Sequence, residues 1–113
     1  MLTIEKLNQF GADTDDGLKR CMNMEDFYLE LVSTVLDDAQ LNELTKAVNA
    51  GNLEKAFESA HALKGVYANL ALTPLYEPVS EMTELLRSRT ETDYQPFLEK
   101  ITIRSEELRR LAE

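Results

Sequence analysis

Asn52-Leu53-Glu54-Lys55-Ala56-Phe57-Glu58-Ser59-Ala60-His61-Ala62-Leu63-Lys64-Gly65-Val66-Tyr67-Ala68-Asn69-Leu70-Ala71-Leu72 contains the only histidine of a 113-residue chain. Laid out at about 100° per residue, Leu53, Ala56, Phe57, Ala60, Leu63, Tyr67 and Leu70 share one broad stripe, the pattern of a helix with one face in a core. Asn52 is the predicted N-cap, and the helix is expected over about residues 53–72. His61 lies off the stripe, roughly 110–120° from its centre. The imidazole is therefore expected on the flank of the buried face, within reach of water. Gly65 (i+4) and Ala68 (i+7) continue along that flank, so the surface just beyond the ring reads as nearly bare backbone. Lys64 (i+3) lies on the adjacent row, within reach of a group attached to the ring.

Gly65 needs a reason, because glycine inside a helix costs about 0.5–1 kcal/mol relative to alanine. A missing side chain one turn after an exposed histidine suits a shallow docking site, where another protein must approach the ring closely. A cation on the next row would neutralise a transferred anion.

The run Ala60-His61-Ala62-Leu63-Lys64-Gly65, followed by Asn69-Leu70, resembles the signature of histidine-containing phosphotransfer (HPt) domains, the helical relay modules of multistep two-component signalling. Leu70 fits the pattern, Ala71 stands where the family usually has glycine, and Tyr67 is bulkier than the residue often found at its position. The resemblance implies that His61 is the phosphoacceptor, that Lys64 neutralises the phosphoryl charge, and that Gly65 and Ala68 belong to the docking surface. It implies as partners the receiver domains of response regulators or hybrid histidine kinases, with Mg²⁺ supplied by the receiver and no cofactor bound by this chain.

The chemistry of the residue agrees with that implication. Imidazole ordinarily titrates near pH 6.5, so a ring nitrogen is unprotonated at neutral pH and can attack an acyl phosphate without a separate base. Phosphoryl transfer is catalysed mostly by positioning and charge neutralisation. A bare helix face with one lysine suffices if the partner brings the metal and the aspartate. A second reading is a degenerate adaptor that docks a receiver or kinase without carrying phosphate, and a third is a plain helical structural subunit.

Composition narrows the field. A chain of 113 residues suffices for one domain, taken as residues 1–113, and is too short for two. A net charge of −9 argues against nucleic-acid binding, since no basic run accompanies it. The first 60 residues hold 5 basic and 12 acidic side chains, so the acidity lies mainly before His61. One cysteine, Cys21, excludes an intramolecular disulfide, and one histidine argues against a dedicated metal site. No Gly-rich phosphate loop is present, so autonomous kinase activity is not expected. Without a signal sequence or an apolar run of the ~20 residues needed to span a bilayer, a cytoplasmic monomer with no membrane association is expected.

The remaining pattern is helical throughout. Thr3 caps a short helix that ends at Gly11, and Asp13 or Thr14 caps a longer element interrupted near Asn23. Met22, Met24, Phe27 and Tyr28 within that element form an apolar-aromatic cluster assigned to the core in preference to a docking patch. Leu41, Leu44, Ala47 and Val48 mark a helix ended by Gly51. Thr73-Pro74 reads as a helix start with Thr as the cap, and Asp93 as the cap of a last helix carrying Phe97, Leu98, Ile101, Ile103, Leu108 and Leu111. The fold predicted is all-α, an antiparallel four-helix bundle with an additional short N-terminal helix.

Overall fold

Three predicted caps start helices where expected. In the computed structural model, which describes residues 1–113, the Thr3 side chain accepts from the Lys6 N–H and opens α1 (Ile4–Phe10). Asp13 accepts from the Asp16 N–H and opens α2 (Thr14–Arg20), and Asn52 accepts from the Lys55 N–H and opens α5 (Leu53–Asn69). Between them lie α3 (Glu25–Ser33) and α4 (Ala39–Asn49), and α6 (Thr73–Arg87) and α7 (Gln95–Ala112) complete a chain with no strands. Short turns join α4 to α7 into an antiparallel bundle, in which α5 packs against both α4 and α6, and α7 against α6. The segment before the bundle forms three short helices, and α1 packs against α7.

The helix ends follow one backbone rule. After α1, α2, α4, α5 and α6 the chain takes a left-handed step, at Gly11, Met22 (continued at Asn23), Gly51, Ala71 and Arg89. The next N–H then reaches back five residues: Ala12 to Leu7, Asn23 to Leu18, Asn52 to Ala47, Leu72 to Tyr67 and Thr90 to Leu85, at 2.7–3.0 Å. This is the Schellman closure, which satisfies carbonyls that a helix end leaves unpaired. Glycine takes that step freely, whereas Met22, Ala71 and Arg89 each accept a cost of roughly 1–2 kcal/mol.

Several expectations change at these turns. The central helix stops at Asn69 instead of continuing to Leu72, because Ala71 has φ 54°. The interruption near Asn23 is a complete break, with both Met22 and Asn23 left-handed. That turn directs Met22 and Met24 outward (76% and 54% exposed) and leaves Phe27 45% exposed, so of the four residues assigned to the core only Tyr28 is there. Leu72, not Thr73, caps α6, and Thr73 and Pro74 are its first two residues. Pro78 lies inside α6, where it forfeits one helical hydrogen bond. Tyr94 caps α7, while Asp93 accepts from the Gln95 N–H one position further out. Ile103 faces solvent.

Tyr28 is the most constrained side chain of the N-terminal segment. It is fully buried, and its hydroxyl donates to the Leu70 carbonyl at 2.9 Å. Burial, followed by the nearby charges of Cys21, Asp13 and Asp16, pushes the phenol up to about 12, so it remains a donor at neutral pH. Gly17 lies directly over the ring: a Cβ there would stand 2.5 Å from the ring carbon bearing the hydroxyl. The Asp38 carboxylate accepts from Ser105 Oγ and pairs with Arg109, tying the α3–α4 turn to α7.

Gly17→Ala should therefore destabilise the protein by about 1–3 kcal/mol through overpacking, despite alanine's better helix propensity. A urea unfolding midpoint equal to or above wild type would show that the Tyr28 ring yields instead. Ala71→Val should cost a further ~1–3 kcal/mol, because a β-branched residue at positive φ is strained, whereas Ala71→Gly should stay within about 1 kcal/mol of wild type. Equal midpoints for the valine and glycine variants would contradict the left-handed step at this position.

Candidate functional site

His61 lies midway along α5 and is exposed, while Ala60 and Leu63 on either side are buried. The same helix supplies its closest aromatic neighbour. Phe57, one turn earlier, stacks on the imidazole with ring centroids 5.6 Å apart and planes 16° from parallel. Sequence periodicity assigns Phe57 to the buried stripe. The structure instead leaves it half-buried at the edge of that stripe, where one side chain can pack on the core and also cover the ring.

Helix α6 completes the surroundings. The Arg87 guanidinium lies 5.0 Å from the Phe57 ring centroid, and that of Arg89 lies 5.6 Å away. Arg89 arrives from the left-handed residue that ends α6, and it also donates to the Leu86 carbonyl at 2.9 Å. Lys64 Nζ is 3.8 Å from Glu84 Oε2, and Arg87 Nε is 3.3 Å from the same oxygen. Three cations and the Glu84 carboxylate thus gather around Phe57 and Lys64, four residues before and three after His61, on a chain whose net charge is −9. Each contact is weak by itself: exposed ion pairs are worth about 0–1 kcal/mol, and exposed cation–π contacts about 0.5–1 kcal/mol.

Gly65 is exposed, and a Cβ added to it would meet nothing within 4 Å. The fold itself therefore gives no steric reason for glycine here. Ala68, expected on the same open flank, is half-buried and lines a hollow with Asp16 and Arg20 of α2 and Tyr76 of α6. Lys64, expected to be free to reach a group on the ring, is held by Glu84 and only 27% exposed in its side chain. Tyr67 is buried against the core, where burial and then Asp38 raise its phenol well above the ordinary value.

The signal that could have placed Phe57 beside His61, but was read only as core, is its spacing, because residues four apart share a helix face. Glu84, Arg87 and Arg89 gave no comparable signal. Their place beside His61 depends on how α6 registers against α5, which local periodicity does not specify.

The arrangement is open and convex. The largest surface hollow, about 680 Å³, lies between α6 and α7 and is lined by Tyr76, Glu77, Ser80, Glu81, Leu85 and Phe97 among others; His61 does not line it. No group of three or more His, Cys, Asp or Glu side chains is placed to hold a metal ion, and no helix is long and apolar enough to cross a membrane. An exposed imidazole on a helix face, with open backbone one turn on and cations against Phe57 and Glu84, can take an anionic group from a macromolecule that covers the face.

No curated protein and no solved structure matches the chain. The family model described as the Hpt domain matches residues 30–113, about three quarters of the chain, beginning within α3 and including the four bundle helices and His61. On that match and the helical bundle it describes, the chain belongs to the Hpt domain family, whose role is phosphotransfer in two-component signalling.

Proposed function

We propose that this protein is a phosphorelay intermediate in which His61 accepts a phosphoryl group from the aspartate of a receiver domain and passes it to another. The observation that carries this reading is the pairing of an exposed mid-helix imidazole with Gly65, a glycine whose missing side chain leaves open space beside it.

In the transfer step, the lone pair of an unprotonated ring nitrogen attacks phosphorus. The N–P bond forms as the P–O bond of the acyl phosphate breaks, and the electron pair leaves with the aspartate carboxylate. The other ring nitrogen keeps its proton. The reverse sequence returns the phosphoryl group to a receiver aspartate. Phe57 limits rotation of the imidazole by stacking on it, and Lys64 supplies positive charge near the developing phosphoramidate. The divalent cation used in such chemistry is assigned to the receiver, together with the aspartate.

The family's partners are receiver domains, and those of response regulators or hybrid histidine kinases are the proposed donors and acceptors. The protein is proposed to act as a monomeric carrier in the cytoplasm, without kinase activity of its own. Ala71 and Tyr67 are the departures from the family pattern that favour the adaptor alternative. The backbone at Ala71 supplies a local reason for the family's glycine, since Ala71 occupies the left-handed position of a Schellman turn beyond Asn69.

The deciding experiment is incubation with a phosphorylated receiver domain, followed by assay for acid-labile, base-stable phosphate. Wild type should become labelled and His61→Gln should not. Receiver binding without any label on wild type would favour the adaptor instead. Gly65 provides a second test. Gly65→Ala should raise stability by about 0.5–1 kcal/mol, since nothing obstructs the added methyl. Gly65→Arg should remain folded yet slow transfer from a receiver by about tenfold or more, by holding the two surfaces apart. Normal transfer in a folded Gly65→Arg protein would contradict the docking role.

A further inference from the structure

Lys64 and Arg87 reach Glu84 from different helices, and both stand closest to one oxygen, Oε2, at 3.8 and 3.3 Å. Arg87 is also over the Phe57 ring, which stacks on His61. A line of contacts thus runs from the imidazole through Phe57 and Arg87 to Glu84, and Lys64 joins it from α5. The Glu84 side chain is 58% exposed, so its ion pairs are weak and exchange readily with a stronger anion. A phosphoryl group carries a charge of about −1.5 to −2 near pH 7 and three acceptor oxygens, against a single charge on the carboxylate.

We propose that Glu84 is a positioning residue that holds Lys64 and Arg87 near the unmodified imidazole and yields them to the phosphoryl group once His61 carries it. This rests on the phosphoacceptor reading of His61 and extends it from the acceptor to its control. In the unmodified protein Glu84 keeps two flexible cations ordered near the ring, which lowers the entropy lost when they engage phosphate. In the phosphorylated protein the displaced carboxylate remains nearby and competes for the same cations. That competition loosens their hold on the phosphoryl group and shortens its stay on His61. No new covalent step is involved; Glu84 changes only the partners of Lys64 and Arg87.

The competition is measurable without a receiver. Phosphoramidate, a small phosphoryl donor, can charge the isolated protein, and the half-life of phosphate on His61 can then be followed for wild type, Glu84→Gln, Glu84→Asp, Lys64→Ala and the Lys64→Ala/Glu84→Gln pair. Glu84→Gln should lengthen the half-life roughly two- to fivefold, the range that exposed ion pairs support. Glu84→Asp, which keeps the charge, should return it toward wild type. The effect should shrink near 1 M salt, where the screening length is about 3 Å, and it should shrink in the Lys64→Ala background. Urea unfolding of Glu84→Gln should match wild type, separating the effect from loss of structure.

An unchanged half-life in Glu84→Gln, or an equal lengthening with and without Lys64, would overturn the proposal. So would a Glu84→Asp protein that behaves like Glu84→Gln. Labelled wild type with any of these outcomes would leave the acceptor reading standing. Wild type that takes up no phosphate on His61 from either phosphoramidate or a receiver would overturn both.

Discussion

A single left-handed residue, Ala71, fixes the position of four helices. Leu72 N–H closes back onto Tyr67 and ends α5, and the Leu72 carbonyl immediately accepts from Tyr76 to begin α6. The Ala71 carbonyl accepts the Asp13 N–H at the start of α2, and the Leu70 carbonyl accepts the Tyr28 hydroxyl from α3. Three consecutive residues therefore reference α2, α3 and α6 to the end of α5. The reversal sends α6 back along the His61 helix, so that Glu84 and Arg87 come level with Phe57 and Lys64. Without this turn those side chains would have no common site.

The site built on that return is weak in each contact and open as a whole. Stacking, cation–π contacts and exposed ion pairs contribute around 1 kcal/mol or less apiece in water. Such groups order an imidazole and gather charge around it without enclosing it. A convex helix face cannot exclude water by itself, and electrostatic catalysis gains most where water is excluded. Under the proposed function a receiver's surface completes the dry site. The overall acidity of the chain makes the local cations more informative, since they run against the charge of the whole.

Legibility in the sequence followed the range of the interactions. Caps such as Thr3, Asp13 and Asn52 act within one turn and were readable, as was the helical stripe of α5, whose residues Ala56, Ala60, Leu63 and Tyr67 are all buried. The flank position of His61 followed from the same arithmetic, and the resemblance to HPt domains rested on a dozen residues around it. Helix ends were readable where glycine marked them, at Gly11 and Gly51. The end of α5 was missed, because Ala71 is an ordinary residue in the left-handed region. Met24 and Phe27 were misplaced for a related reason: an apolar pattern gives the face of a helix, but the angle at which the preceding turn delivers that helix decides whether the face is covered. The α6 side of the site needed the α5–α6 register, which no local pattern contains.

Gly17, Ala71 and Gly65 separate what the fold requires from what it does not. Gly17 is demanded by the interior, because the Tyr28 ring occupies the space of its side chain. Position 71 is where backbone geometry favours glycine, yet the protein tolerates alanine and accepts the strain. Gly65 is the reverse case: it has ordinary helical backbone, open space around it and a propensity cost that nothing within the chain offsets. An isolated bundle would be improved by alanine there. The reason for a residue that weakens its own helix without helping the fold lies outside the chain, and Gly65 lies one turn from the imidazole. That is the physical basis for reading the His61 face as a surface shaped for a second protein.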